Sequence, residues 1–195
     1  HIEGAMAVEL QLPTLLLAED GISDRGMFFP GGAHLVTWFP FDSDETWIAS
    51  PKFRNAITVF TDRVRERRDV FLAYCGTSEG TANNLKRFIE REIGATVLDW
   101  RTDFVEGRTI IEEIEEAARR TTGGVFLFTK DDPIEGTDGL AAPRDNVVFE
   151  AGFFAHAKGR ERVLIIREEG AKMPADLGGS IYVKLTDRTN IGPLE

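Results

Sequence analysis

Three short runs in the chain are apolar at every position: Val70-Phe71-Leu72-Ala73-Tyr74, Val125-Phe126-Leu127-Phe128 and Val163-Leu164-Ile165-Ile166. A strand with one wet face alternates apolar and polar residues. A strand that is apolar throughout must be covered on both faces, which in practice means the interior of a parallel sheet flanked by helices. Two further strands fit the same series, Ala95-Thr96-Val97-Leu98-Asp99-Trp100 and Ile181-Tyr182-Val183-Lys184-Leu185.

Helical patterns lie between them. Residues 81–93 carry Leu85, Phe88, Ile89 and Ile93 at helical spacing, and Gly94 stands where a helix stops. Thr109 and Glu112 have capping-box spacing. The helix they open is expected to bury Ile110, Ile111, Ile114, Ala117 and Ala118, with its acids on the far face. Lys130 to Pro143 is a loop rich in Gly, Pro and Asp, and a helix follows from Arg144 to about Gly159. The stretch from Met173 to Gly179 is too short for a long helix. Strands alternating with short crossovers predict an α/β, flavodoxin-like sheet of five parallel strands in the order 2-1-3-4-5.

Residues 5–68 read differently. Pro30-Gly31-Gly32 looks like a turn between apolar stretches Met27–Phe29 and Leu35–Phe39, giving a β-rich arm. Ser50-Pro51 opens an amphipathic helix with Phe53, Ile57, Phe60 and Val64 as its stripe. That stripe packs on the sheet domain or forms an interface. Residues 1–4 resemble a tag remnant, 69–188 form the sheet domain, and 189–195 are a tail whose Leu194-Glu195 resembles a vector scar. The chain thus reads as a fragment of a longer protein.

Bulk properties remove several functions. The net charge of −10 argues against a nucleic-acid binder, which needs a basic surface. One cysteine, Cys75, forms no internal disulfide, so a reducing, cytoplasmic setting is expected. No apolar run has the ~20 residues of a membrane span. His34 and His156 make no metal-spaced pair, so no metal is expected.

Open parallel sheets bind ligands beyond the carboxyl ends of their strands, where the strand order reverses. Three loops and one helix start converge there. Gly76, Thr77 and Ser78 follow the first strand and offer backbone amides and hydroxyls to a phosphate, although the same pattern opens many ordinary helices. Trp100, Arg101 and Arg108 follow the second. The indole can stack on a base or pack as core, and the arginines can face a phosphate or pair with Asp103 or Glu106. Thr129, Lys130 and Asp131 follow the third. Arg144 and Asn146 stand at the next helix start, readable as ligand contacts or as helix-start structure. Glu150 lies inside that helix among apolar residues. An isolated acid there is half of a salt bridge or a carboxylate kept for a ligand. Cys75, with no histidine near it in sequence, reads as a packed thiol.

Several ordered motifs carry a family resemblance. They are Gly107-Arg108-Thr109-Ile110-Ile111-Glu112, Phe128-Thr129-Lys130-Asp131-Asp132, Arg144-Asp145-Asn146-Val147-Val148-Phe149-Glu150-Ala151-Gly152-Phe153-Phe154, Gly159–Val163 and Met173–Gly179. With them, residues 69–188 resemble the bacterial TIR-like nucleotide-binding domains of cyclic-nucleotide-activated (CBASS and Pycsar-type) anti-phage effectors. The chain departs from the family's usual sequence after the first strand, with Tyr74-Cys75-Gly76-Thr77, and has Asp145 where glutamine is common. The resemblance implies an NAD⁺ glycohydrolase with Glu150 as its catalytic residue and NAD⁺ as substrate rather than cofactor. It also implies self-association through TIR domains, driven by a cyclic-nucleotide sensor domain. The alternative within the fold is a non-catalytic nucleotide-binding or scaffolding module. A flavin protein and a phosphoacceptor receiver fit less well, the latter because Tyr74-Cys75-Gly76 lacks paired acids.

Overall fold

The computed structural model describes residues 2–10, 12–29, 34–105, 107–137, 139–177, 179, 182–189 and 191. The chain divides into two compact units, His1–Arg67 and Arg68–Glu195.

In the first unit, helix α1 (Ile2–Glu9) precedes strands β1 (Leu15–Glu19) and β2 (Leu35–Phe39), and helix α2 spans Pro51–Arg65. The strands pair in parallel, Leu15 opposite Leu35 and Glu19 opposite Phe39. The expected turn at Pro30-Gly31-Gly32 lies outside the described residues. Met27 and Phe28 sit in a 3₁₀ turn, Gly26–Phe28, and not in a strand. The Ser50 hydroxyl accepts from the Phe53 amide at 3.2 Å, so the α2 cap forms as its sequence requires. Trp47 lies 5.3 Å from the Phe39 ring and 4.8 Å from Phe53, joining β2 to α2. Of the α2 stripe, Ile57 and Val64 are exposed.

The second unit is the predicted sheet. Strands β3 (Val70–Ala73), β4 (Val97–Asp99), β5 (Gly123–Phe128), β8 (Val163–Glu168) and β9 (Tyr182–Leu185) lie in the order β4-β3-β5-β8-β9, all parallel. This is the order 2-1-3-4-5. Between them run α3 (Glu79–Phe88), which continues as a π turn over Ile89–Ile93, then α4 (Trp100–Asp103), α5 (Ile110–Arg120) and α6 (Asp145–Lys158). Gly94 ends the α3 segment with φ of 73°, a left-handed position that costs glycine nothing. The Lys130–Pro143 loop folds into a two-stranded ribbon, β6 (Asp132–Pro133) against β7 (Ala141–Ala142). Ile181 lies outside the described residues; among those described between β8 and β9 are an isolated bridge at Ala171 and a 3₁₀ turn, Ala175–Leu177.

Period-two alternation divides the sheet's side chains between two cores. Phe71, Ala73, Phe126, Phe128 and Ile165 meet Ile114, Ala117 and Ala118 of α5 and Val147, Ala151 and Phe154 of α6. Leu72, Tyr74, Val125, Leu127 and Ile166 meet Ala82 and Leu85 of α3 together with Ile89. Both faces are covered at β3 and β5, as strands apolar at every position demand, but Leu164 of β8 is exposed. The α5 stripe is shorter than expected. Ile110 and Ile111, the first two residues of the helix, are exposed. Glu113, placed among the outward acids by sequence, is buried instead.

Candidate functional site at the carboxyl edge of the sheet

Helix α6 begins where β5 has delivered the chain to the carboxyl edge of the sheet. Its buried residues are Val147, Glu150, Ala151 and Phe154. Residues three and four apart share a helix face, so Glu150 sits on the same inward stripe as Val147 and Phe154. Its residue exposure is 7%. Among the described residues its carboxyl group has neither a hydrogen-bond partner nor an ion pair. The salt bridge expected as one reading of Glu150 is thus not found among the described residues. Burial pushes its pKa up to about 7, because desolvation penalises the charged form and no cation among the described residues compensates. A carboxyl group that titrates near neutrality in an apolar layer suits a charge needed only when a ligand arrives.

The residues of the first and third loops meet each other. The Asp131 Oδ1 accepts from the Thr77 hydroxyl at 2.9 Å and from the Thr129 hydroxyl at 2.9 Å. Its Oδ2 accepts from Thr129 at 2.9 Å and from the Arg144 backbone N–H at 3.2 Å. Ser78 and Thr129 share a 2.8 Å hydroxyl contact. The polar side chains expected to face a phosphate thus bond one another across the β3–β5 switch point, around an acid. Gly76 is exposed in the turn before α3.

Lys130 contributes its backbone. Its N–H donates to Glu168 at 2.7 Å, and its carbonyl accepts from Arg188 at 3.0 Å. Arg188 also grips Glu168, with Nε at 2.9 Å and Nη2 at 2.7 Å. Burial pushes the Glu168 carboxyl up, but the bonds from Arg188 and the Lys130 amide outweigh it and leave the pKa below the ordinary value. Sequence reasoning missed this pair. A charged residue closing the apolar β8 run was the available signal.

The second loop makes two separate clusters. Trp100 opens α4 and packs against both cores, with its ring 5.7 Å from Tyr74 and its indole nitrogen buried without a partner among the described residues. The Arg101 guanidinium lies 5.4 Å over that ring and pairs with Glu79. Arg108 lies 3.5 Å from the buried Glu113. Of the two partners expected for these arginines, Asp103 accepts from the Asp99 amide at 2.8 Å, and Glu106 lies outside the described residues. The Arg144 side chain reaches Asp132 at 3.1 Å; its pKa is raised, first by a bond to the Cys75 thiol and then by Asp132. Asn146 is exposed on the first turn of α6. Among the described residues no group of three or more His, Cys, Asp or Glu could hold a metal ion, and no helix is long and apolar enough to cross a membrane.

Residues 69–187 match the family described as CAP12/Pycsar effector protein, TIR domain. The chain belongs to this TIR-domain family. Similar proteins include Uncharacterized protein YuaY of Escherichia coli K12, 31% identical over 62% of this chain and 40% of its own length. The CD-NTase-associated protein 12 of Sphingobacterium faecium is 33% identical over 46% of this chain and 28% of its own. The Pycsar effector protein BcPycTIR of Burkholderia cepacia is 32% identical over 62% of this chain and 41% of its own. The chain therefore spans less than half the length of these relatives. The TIR domain so delimited, residues 69–187, contains every site residue expected from the sequence; Arg188 follows its last matched position.

Proposed function

We propose that this TIR domain is the NAD⁺-cleaving part of a bacterial anti-phage effector, with Glu150 as its catalytic carboxylate. The observation that carries the reading is a carboxyl group on the core-facing stripe of α6, 7% exposed and without a partner among the described residues. An uncompensated buried acid costs stability, and a chain that keeps one at a ligand-binding edge keeps it for a ligand.

In the reaction the bond between the ribose C1′ and the nicotinamide nitrogen breaks. The bonding pair leaves with nicotinamide and neutralises its pyridinium charge. The ribose becomes oxocarbenium-like, and water adds to C1′ with loss of a proton, giving ADP-ribose. Glu150 has two tasks. As a carboxylate it faces the developing ribose cation in a site of low polarity, where a fixed charge acts strongly. With a pKa raised to about 7 it can also take the proton from the attacking water. The cationic nicotinamide ring itself favours the ionised form when the substrate binds. The family's effector character supports a setting in which a cyclic-nucleotide sensor domain clusters TIR domains and so starts turnover.

The test is nicotinamide release by the protein under enforced clustering, for example on a multivalent scaffold. Wild type should convert NAD⁺ to nicotinamide and ADP-ribose, and Glu150→Ala should lose at least a hundredfold in rate, on the order of a removed transition-state charge. Equal rates for the two proteins sink the assignment of Glu150. NAD⁺ binding without turnover by the clustered wild type would describe a nucleotide-binding scaffold.

A further inference from the structure

Asp131 is the most heavily bonded side chain at the switch point, and its partners come from three different elements. Thr77 belongs to the loop after β3, Thr129 follows β5, and the Arg144 amide is the entry to α6. The α6 entry needs such a partner. Its N-cap residue is Arg144, which makes no side-chain cap bond. Arginine has no acceptor to offer the free amides of a first turn, where serine, threonine, aspartate or asparagine would normally supply one. The Arg144 side chain is directed instead toward Asp132 and Cys75.

We propose that Asp131 is a positioning residue for Glu150, acting through the start of α6 and not through contact with the substrate. From thirteen residues upstream it accepts from the N-cap amide itself, the bond that the acid of a capping box makes to its N-cap, and it adds a negative charge to that of Asp145 in the first turn. A carboxylate beside a helix N-terminus is favoured by the helix dipole. Asp131 is itself held from behind. Both backbone groups of Lys130 are fixed, the amide by Glu168 and the carbonyl by Arg188, and the Asp131 amide donates to the Ala142 carbonyl at 3.1 Å. The line of restraint runs from Arg188 and Glu168 through Lys130 to Asp131, and from there to Arg144 and the first turns of α6. Glu150 is the sixth residue of α6, about one and a half turns in. Fraying of that first turn would displace the carboxylate without removing it. With both of its oxygens engaged by the protein, Asp131 is a poor candidate for a ribose or phosphate contact, and its charge would repel a phosphate.

This assignment rests on the reading of Glu150 as catalytic, so the experiment has one arm that does not use activity. Hydrogen exchange of the intact protein is compared for wild type, Asp131→Ala and Asp131→Asn, and nicotinamide release is measured on the same clustered proteins. In Asp131→Ala, amides from Val147 to Glu150 should exchange about tenfold faster, the scale of a lost helix cap. Asp131→Asn, which keeps one acceptor oxygen and loses the charge, should lie between. Amides of β3 and β5 should stay as protected as in wild type. The kcat should fall in the same order, with KM within about threefold, the signature of a misplaced group and not a lost substrate contact. Unchanged α6 exchange, or a rise in KM at constant kcat, overturns the proposal. Faster exchange spread equally over β3, β5 and α6 in both variants also overturns it, because that marks general destabilisation. If wild type itself releases no nicotinamide, the catalytic reading of Glu150 falls, and the exchange arm alone decides whether Asp131 holds α6.

Discussion

Replacing Glu150 by glutamine should stabilise the protein, and by an amount that depends on pH. The carboxyl group titrates near 4.5 when solvated and near 7 in the fold. A carboxyl pKa raised by folding means that ionisation opposes folding. The sign follows from proton uptake: between these two values the native state holds the proton more tightly than the unfolded chain, so stability falls as pH rises. Below about pH 4 both states are protonated and the penalty is absent. It grows across the interval and is complete above about pH 8. A gap of about 2.5 units corresponds to roughly 3 kcal/mol, at about 1.4 kcal/mol per unit. Glutamine keeps the shape and polarity but cannot ionise. Any cost of burying its amide is nearly the same at every pH, so comparing two pH values isolates the charge. At pH 8 the variant should gain about 3 kcal/mol over its gain or loss at pH 4, or about 6–12 °C in the Tm of a chain this size. Thermal unfolding of both proteins at pH 4 and pH 8 measures it. A stability difference that is the same at both pH values would refute the claim that Glu150 is buried without compensation.

Three further outcomes follow from the same geometry. For the clustered enzyme, kcat/KM for NAD⁺ should fall about tenfold per unit as pH drops below about 7, because the free enzyme must lose the Glu150 proton; a profile flat from pH 5 to 8 contradicts this. Arg188→Ala should cost about 2–4 kcal/mol at pH 7 by leaving the buried Glu168 carboxylate without its main partner. Because the Glu168 pKa is depressed in the fold, that contribution is present above about pH 4.5 and is lost as pH falls further, so urea melts of the two proteins should converge in acid. Gly124→Ala should cost about 1–3 kcal/mol, since a Cβ there would lie 2.6 Å and 2.7 Å from carbons of the fully buried Phe126 ring; a variant as stable as wild type by denaturant titration would show that the β5 core can give way.

The sheet was legible because its signals are local. Val70–Ala73 and Gly123–Phe128 are strands whose two-sided burial is written into consecutive residues, whereas Val163–Glu168 forms as a strand but leaves Leu164 exposed; the Thr109–Glu112 capping box forms as its spacing demands. The N-terminal unit was less legible. Apolar content marked Met27 and Phe28 as strand-like, yet the partner of β2 is Leu15–Glu19, joined to it in parallel, and pairing of that kind leaves no hairpin signature in sequence. Glu113 could have been placed correctly, since it stands four residues before the buried Ala117. The switch-point network could not. It joins Thr77 to Asp131 across 54 residues and Lys130 to Glu168 across 38, and composition cannot show whether hydroxyls and acids at a loop edge face a ligand or each other. Sequence topology placed Glu150 near the carboxyl edge of the sheet, where α6 begins; that no described residue neutralises it is visible only in three dimensions.

The account depends most on Glu150 acting as a charge in the chemical step, and single-turnover cleavage of NAD⁺ by clustered wild type and Glu150→Gln at pH 7.5 tests that directly. The glutamine variant should be folded, more stable than wild type at this pH, and slower in nicotinamide release by about 10²–10³-fold. Release at the wild-type rate by Glu150→Gln, or none from the clustered wild type, would contradict the account.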